Sequence, residues 1–105
     1  MQAPETPAAN NNVETSALNI DINKLFLLPN PAQNYLTISF GAATDLNTYV
    51  YVYDLNGKQQ LSVPVLAKQG FNDLQVDISQ LANGYYMVAI DNGAEQLREK
   101  LVVIK

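Results

Sequence analysis

The feature that most constrains this chain is its C-terminal stretch, where two short apolar runs flank a tight turn. In the first run Tyr86, Val88 and Ile90 fall on one face, which is the alternation of a β-strand. Asp91-Asn92-Gly93 follows, and Asn and Gly tolerate the positive φ angles that tight turns need. The second run is Leu97–Ile104. The stretch therefore predicts a β-hairpin close to the end of the sequence.

The last part of that hairpin, Leu101–Ile104, is apolar without interruption. Such a run is either buried on both faces or forms the edge of a sheet that awaits a partner. An edge of this kind can add main-chain hydrogen bonds to a partner sheet, the binding mode called β-augmentation. Both alternatives remain open from the sequence.

The rest of the chain repeats the same pattern of short alternating runs separated by turn residues, and it shows no helical periodicity. The further runs are Leu25–Leu28, Tyr35–Phe40, Thr48–Leu55, Lys58–Leu66 and Phe71–Ile78. About seven short strands at this spacing predict an all-β fold, an antiparallel β-sandwich of immunoglobulin-like or Greek-key type.

Local turn chemistry supports the boundaries of these strands. Pro29 and Pro31 flank Asn30 and lack backbone donors, so the first strand has to end there. The Asn56-Gly57 pair lies between two strand-like runs and predicts a hairpin. Pro64 predicts that its strand lies at a sheet edge or carries a bulge, and Ser79 is placed to cap a turn or a short helical turn.

Composition excludes several classes of function. The chain has 105 residues, a formal net charge of −4 and no His or Cys. An acidic chain does not present the clustered Lys and Arg that nucleic acids or anionic membranes require. Without imidazole and thiol groups it lacks the commonest general base, thiolate nucleophile and zinc ligands, so we expect no cofactor and no catalysis. No apolar run approaches the roughly 18 residues of a membrane span.

The chain divides into two parts. Residues 1–23 are rich in Ala, Pro, Asn and Thr and carry little aliphatic bulk. Such a composition cannot offset an ordering cost of about 1–2 kcal/mol per residue, so it predicts a disordered linker. Residues 24–105 contain all the strand-like runs and predict one domain.

Three groups of side chains are candidates for chemistry, and each has a structural alternative. Asp73 and Asp77 lie about 13 Å apart along a strand, too far to share a proton, and are expected to be solvated. Residues 91–95 offer Asp, Asn and Glu oxygens for Ca²⁺, although turn residues are the better interpretation. Tyr49, Tyr51 and Tyr53 form a stripe that can stack on sugar rings or, as we favour, cover a sheet.

Four segments in order carry a resemblance to a known family. They read LPNPA at residues 28–32, YDLNGK at 53–58, LANGYY at 81–86 and KLVVIK at 100–105. Together they resemble the C-terminal sorting domain of the type IX (Por) secretion system of Bacteroidetes, over about residues 25–105. Leu28 stands where the family often has Tyr, and Tyr85 replaces a frequent aliphatic residue.

The resemblance implies a non-catalytic signal at the end of a secreted cargo protein, which can itself be an enzyme. It implies passage through the periplasm, recognition by the outer-membrane type IX translocon, and removal by a surface sortase that leaves the cargo at the cell surface or outside the cell. The residues it assigns to recognition are Gly84, Tyr86, Lys100, Leu101, Val102, Val103, Ile104 and Lys105. Its structural motif residues are Pro29, Asn30, Pro31, Asp54, Gly57 and Lys58.

Three hypotheses of different kinds therefore follow from the sequence. In the first, the domain is a secretion signal and the information lies in the last strand, where Lys100 and Lys105 bracket the apolar run as gatekeepers or as part of the address. In the second, it is a carbohydrate-binding or cell-surface adhesive sandwich that uses the tyrosine stripe. A small enzyme is the third and least favoured interpretation.

Overall fold

Two antiparallel sheets facing each other make up the part of the chain that the structure describes, residues 24–105 of a computed structural model. The predicted linker lies outside the described residues. The strands are β1 (Leu25–Leu28), β2 (Tyr35–Ala42), β3 (Leu46–Asp54), β4 (Gln59–Ala67), β5 (Gly70–Asp77), β6 (Gly84–Asp91) and β7 (Gln96–Val103).

One sheet has the strand order β1-β2-β5 and the other has the order β4-β3-β6-β7. The chain therefore changes sheet after β2, after β4 and again after β5. Crossovers of this kind between antiparallel sheets are typical of immunoglobulin-like sandwiches. The all-β fold class predicted from the sequence is confirmed.

The core fills the space between the sheets and is built by the alternation that the sequence showed. Leu36, Ile38 and Phe40 of β2 face Val50 and Val52 of β3 across the layers, all of them fully buried. The side chains of Tyr86, Val88 and Ile90 in β6 also point inward. Residues in between point outward, as period-2 patterning requires.

Pro64 lies in β4, which is an edge strand of the four-stranded sheet, so the prediction for this residue is confirmed. It stands opposite Tyr49 on β3. A proline is tolerated there because a sheet edge has one side on which no ladder bond is needed. The ladder between the same two strands is irregular at Val52/Tyr53, next to the hairpin turn.

Ser79 does not act as the predicted cap. The turn after β5 is instead organised by Asp77, whose Oδ1 accepts the backbone N–H of Ser79 at 2.8 Å. The turn is closed by the Leu81 N–H, which donates to the Ile78 carbonyl at 3.0 Å. The carboxylate is the better acceptor because it lies two residues upstream, the spacing of an Asx turn.

The strand registers fix which connections lie at each end of the sandwich. β1 begins opposite Phe40, near the end of β2, so the chain enters the domain at the end that also carries the β6–β7 turn. β7 finishes opposite Gly84, so the chain leaves at the other end.

Within residues 24–105 no helix exists that is long and apolar enough to span a membrane.

Candidate functional site

The four segments that carry the family resemblance meet at the end of the sandwich where the chain leaves it. The register places Asp54 opposite Tyr86, and Gly84 opposite Val103. The Pro29–Ala32 segment follows β1 at the same end and contacts the end of β7 directly. Segments that are far apart in sequence thus form one continuous site.

Asn30 binds the outer edge of β7 through its side-chain amide. Its Nδ2 donates to the Lys100 carbonyl at 2.9 Å, and its Oδ1 accepts the Val102 N–H at 3.0 Å. A carboxamide carries an NH₂ donor group and a carbonyl acceptor, and one N–H with the C=O can pair with an edge as a peptide group does. The Asn30 side chain therefore satisfies the backbone hydrogen-bonding groups of Lys100 and Val102 as a neighbouring strand would.

Ala32 continues this pairing one step further along the strand. Its N–H donates to the Val102 carbonyl at 2.8 Å, and its carbonyl accepts the Ile104 N–H at 2.9 Å. Ala32 and Val103 form a parallel bridge. We name Pro29–Ala32 the strap, because it covers the edge of β7 over its last residues.

The terminal run therefore combines features of both sequence interpretations. Leu101 and Val103 are buried in the core, Val102 is half-buried on the outer face, and Ile104 and Lys100 are exposed. β7 is an edge strand, as the second interpretation required, but the strap occupies the edge. Main-chain pairing with a partner at residues 100–104 is incompatible with the strap in this position.

Lys105 is held by the loops of the same end. Its backbone N–H donates to Asn83 Oδ1 at 2.8 Å. Its ammonium group lies 3.1 Å from the Ser79 carbonyl and 3.4 Å from Asn34 Oδ1. The last residue is therefore positioned by the turn between β5 and β6 and by the connection before β2.

Tyr86 is buried near the start of β6, and its hydroxyl donates to the Ala82 carbonyl at 2.6 Å. A tyrosine that bonds back across the corner between two strands is a known feature of immunoglobulin-like folds. Gly84 precedes it at the start of β6, opposite Val103. Both residues lie in the site, and the Tyr86 side chain is part of the buried core there.

Asp54 organises the hairpin between β3 and β4. Its Oδ1 accepts the N–H groups of Asn56 and Lys58, each at 2.9 Å, while Oδ2 accepts Gln60 Nε2 at 3.0 Å. The Lys58 N–H, more than any other group, holds the pKa of the Asp54 carboxyl below its ordinary value. Gly57 closes the loop with φ +81°, which explains the glycine there.

An apolar concavity of about 300 Å³ lies on the outer face beside β7. Leu55 of the hairpin is 78% exposed, and Tyr85 is 63% exposed beside it. The lining comprises Leu55, Tyr85, Tyr86, Met87, Lys100 and Val102.

The carboxylates singled out from the sequence have structural partners. Asp73 accepts a short hydrogen bond from the Ser39 hydroxyl. Hydrogen bonds from the Ser79 side chain and backbone lower the pKa of the Asp77 carboxyl. In residues 24–105, His, Cys, Asp and Glu form no group of three that could hold a metal ion.

The tyrosine stripe covers the outer face of β3 by self-association. The ring centroids of Tyr49 and Tyr51 are 5.9 Å apart at an interplanar angle of 21°. Tyr51 and Tyr53 are 6.0 Å apart at 30°. Rings that stack on each other at this spacing protect a sheet surface, so the geometry favours the structural interpretation.

Asn92 is a residue whose importance sequence reasoning missed. The sequence predicts only a turn residue at this position, and the structure shows that its side chain is fully buried. Nδ2 donates to the Gly41 carbonyl at 3.1 Å, and Oδ1 accepts the N–H groups of Ala94 and Glu95, each at 2.9 Å. Its carbonyl also accepts the Ala43 N–H at 2.9 Å, which ties the β6–β7 turn to the other sheet. A turn Asn looks the same in sequence whether it faces solvent or core.

The fold and the site place this domain among the immunoglobulin-like β-sandwich modules. Its last strand is held by the strap at the end where the chain leaves the sandwich. The chain belongs to the family of secretion-system C-terminal sorting domains, whose family model matches residues 27–105. It therefore contains a type IX sorting signal, and membership implies export to the cell surface or the extracellular space. The family is a non-catalytic signal family.

A solved structure has a similar fold. The crystal structure of dimeric latent PorU from Porphyromonas gingivalis matches at 23% sequence identity with a TM-score of 0.58. The match covers 76% of this chain and 9% of the PorU chain. No curated protein matches the sequence. The structural match supports the fold of the domain.

Proposed function

We propose that this domain is a non-catalytic address that directs an upstream cargo protein through the outer-membrane type IX translocon. After transit through the periplasm, a surface sortase removes the domain. The cargo, which can be an enzyme, then stays at the cell surface or is released. Family membership supports this proposal, and the cleavage region is expected in or near residues 1–23.

The observation that carries the proposal is the convergence of all four motif segments on the end where the last strand finishes. A machine that reads this end meets Lys100, Val102 and Ile104 on the outside of the strand. Leu101 and Val103 instead hold the strand in the core. We assign recognition to the three outward side chains together with Lys105, which Asn83 positions. Gly84 pairs with Val103 at the end of the same strand.

The carbohydrate-binding alternative rests on the tyrosine stripe and is not favoured. The three rings are engaged with one another, and Tyr51 and Tyr53 are half-buried. The stripe also lies on β3, which β6 separates from the last strand in the sheet. A sugar platform requires aromatic faces that are free to stack on a ligand.

Deleting residues 100–105 would test the address poorly, because it removes core side chains and unfolds the sandwich. A better test replaces Lys100, Val102 and Ile104 by Ser and leaves Leu101 and Val103 in place. A passenger with a signal peptide, followed by the full chain, is expressed in a type IX-competent bacterium. The expected result is a passenger retained in the periplasm, measured by surface-protease accessibility.

The matched control replaces Tyr49, Tyr51 and Tyr53 by Ser, a triple change on the outer face of another strand. We expect this variant to be exported to the extent that it folds, as measured by circular dichroism. Export of the β7 variant at the level of the parent would show that the outward side chains are not the address. A metal-binding role is checked separately by calorimetric titration with Zn²⁺, for which we expect no tight binding.

A further inference from the structure

The outer edge of β7 is a main-chain surface of which only one part is covered. In an antiparallel strand the backbone groups of alternate residues point to the same side. The bonds of Lys100 and Val102 to the strap show that even-numbered residues of β7 point away from β6. For the outward backbone groups of Arg98, residues 24–105 provide no hydrogen-bond partner. The edge is thus open near Arg98 and closed by the strap beyond Lys100.

The fold prevents indiscriminate pairing at this edge by two devices. Glu99 occupies an inward-facing position on the edge strand, opposite the buried Val88, yet remains exposed. A charged residue at such a position opposes strand addition by aggregation. The strap is the second device, because it uses the donors and acceptors of the last residues.

The strap is attached to β7 by few contacts. Asn30 is exposed and makes two side-chain hydrogen bonds to β7, and Ala32 is the buried residue of the strap. Two further bonds come from Ala32. Each such bond contributes about 0.5–1.5 kcal/mol net, so an extended segment that forms the same bonds can replace the strap.

We propose that the outer edge of β7 is the surface on which the export machinery docks an extended peptide strand, and that the strap is the resident occupant it displaces. The partner strand pairs first with the open edge at Arg98. It then runs parallel to β7 in place of Ala32, and it takes over the bonds that Asn30 makes to Lys100 and Val102. This inference rests on the proposed function and adds the main chain of β7 to the outward side chains as a second feature that is read once the strap has left.

A disulfide that locks the strap tests the proposal. Ala32 and Val103 are bridge partners on neighbouring strands, at a spacing of about 4.8 Å that suits a disulfide. The chain has no Cys, so the pair Ala32→Cys and Val103→Cys can form only one intramolecular bond. The passenger carries the full chain, and the two single-Cys variants are the controls.

We expect the locked double variant to fold and to stay in the periplasm, while both single variants reach the surface. Thiol labelling reports whether the disulfide is intact. Export of the locked protein at the level of the single variants, with its disulfide intact, would overturn the proposal. Failure of the parent to be exported, or export of the Lys100, Val102 and Ile104 triple variant, would instead count against the proposed function.

A second variant keeps the test decisive if the locked protein does not fold. Asn30→Ala removes both side-chain bonds to the edge. Hydrogen exchange at the Val102 amide should then accelerate by about tenfold, while the Leu101 amide, which points to β6, is unchanged. Unchanged exchange at Val102 would contradict the role of Asn30 as the fastener.

The matched control for Asn30 is Asn72→Ala. Asn72 also makes paired side-chain bonds to exposed backbone, to the N–H and the carbonyl of Lys68, but at the opposite end of the sandwich. The Asn30→Ala passenger should reach the surface at least as fast as the Asn72→Ala passenger. Retention of a folded Asn30→Ala protein would mean that the machinery reads the strap itself, and the proposal would fail.

Discussion

Single residues in this domain act mainly by fixing the backbone at turns. Gly57 shows this most directly, because it has φ +81° and a Cβ built there would meet no atom within 4 Å. The cost of a side chain at this position is therefore conformational and involves no clash. Gly57→Val should lower the free energy of unfolding by about 1–2 kcal/mol, as measured by denaturant unfolding.

Gly57→Asn is the control for that prediction, since Asn tolerates positive φ far better than a β-branched residue. The Asn variant should lose less stability than the Val variant. Equal midpoints for the parent and Gly57→Val would show that the turn conformation in solution differs from the one described here.

The carboxylates of Asp54 and Asp77 make stability depend on acid pH. Hydrogen bonds lower the pKa of both groups in the folded state. Their contribution is therefore complete above the unfolded pKa of about 3.9 and is lost as the pH falls through the folded pKa. The double variant Asp54→Asn, Asp77→Asn should show a smaller fall in Tm between pH 5 and pH 2 than the parent. A parallel fall in both proteins would contradict this assignment.

At the scale of elements, connections between strands are fastened by side chains that reach back to the backbone. The corner before β6 depends on the Tyr86 hydroxyl bond to Ala82. Tyr86→Phe should cost about 1 kcal/mol in thermal or denaturant unfolding, because a partly buried hydrogen bond is lost. Tyr85→Phe, on the exposed face of the same strand, should have almost no effect, and equal losses in the two variants would argue against the corner.

The β6–β7 turn depends on Asn92 in a similar way. Asn92→Ala would leave the buried Gly41 carbonyl and two turn N–H groups without their present partner. We expect a loss of about 1–3 kcal/mol in denaturant unfolding. Asn56→Ala, in the exposed hairpin turn, is the control and should change stability little. Equal stability of the two variants would show that water replaces the Asn92 bonds.

At the scale of the whole molecule, the buried core of the described residues lies within residues 25–103. β1 begins at one end of the sandwich, and β7 finishes at the other. Under the proposed function, an upstream cargo would therefore join the domain at the end opposite the proposed address.

A shortened protein that begins at Lys24 tests where the stability resides. We expect its melting transition to match that of the full chain, as measured by circular dichroism, because the buried core cluster of the described residues spans residues 25–103. A protein of this size has few kcal/mol of stability. A clear fall in Tm would show that the preceding segment contributes contacts to the domain.

The sequence by itself determined the strands, the facing of their side chains and the family. Period-2 alternation in β2, β3 and β6 is a local signal, since it depends only on which face of a strand meets the core. The missing donor of Pro64 limited its strand to a sheet edge or a bulge, and the strand lies at an edge. These properties are readable because each is set by neighbouring residues.

Only the tertiary structure decided how the ends of the chain are fastened. The bonds of Asn30 to β7 and of Lys105 to Asn83 join residues that are far apart in sequence. The burial of Asn92 depends on how the second sheet approaches its turn. Hydrogen bonds between distant segments depend on the distances that folding creates, and no local pattern encodes those distances. For that reason the sequence identified the last strand as important, and the structure showed that its edge is covered.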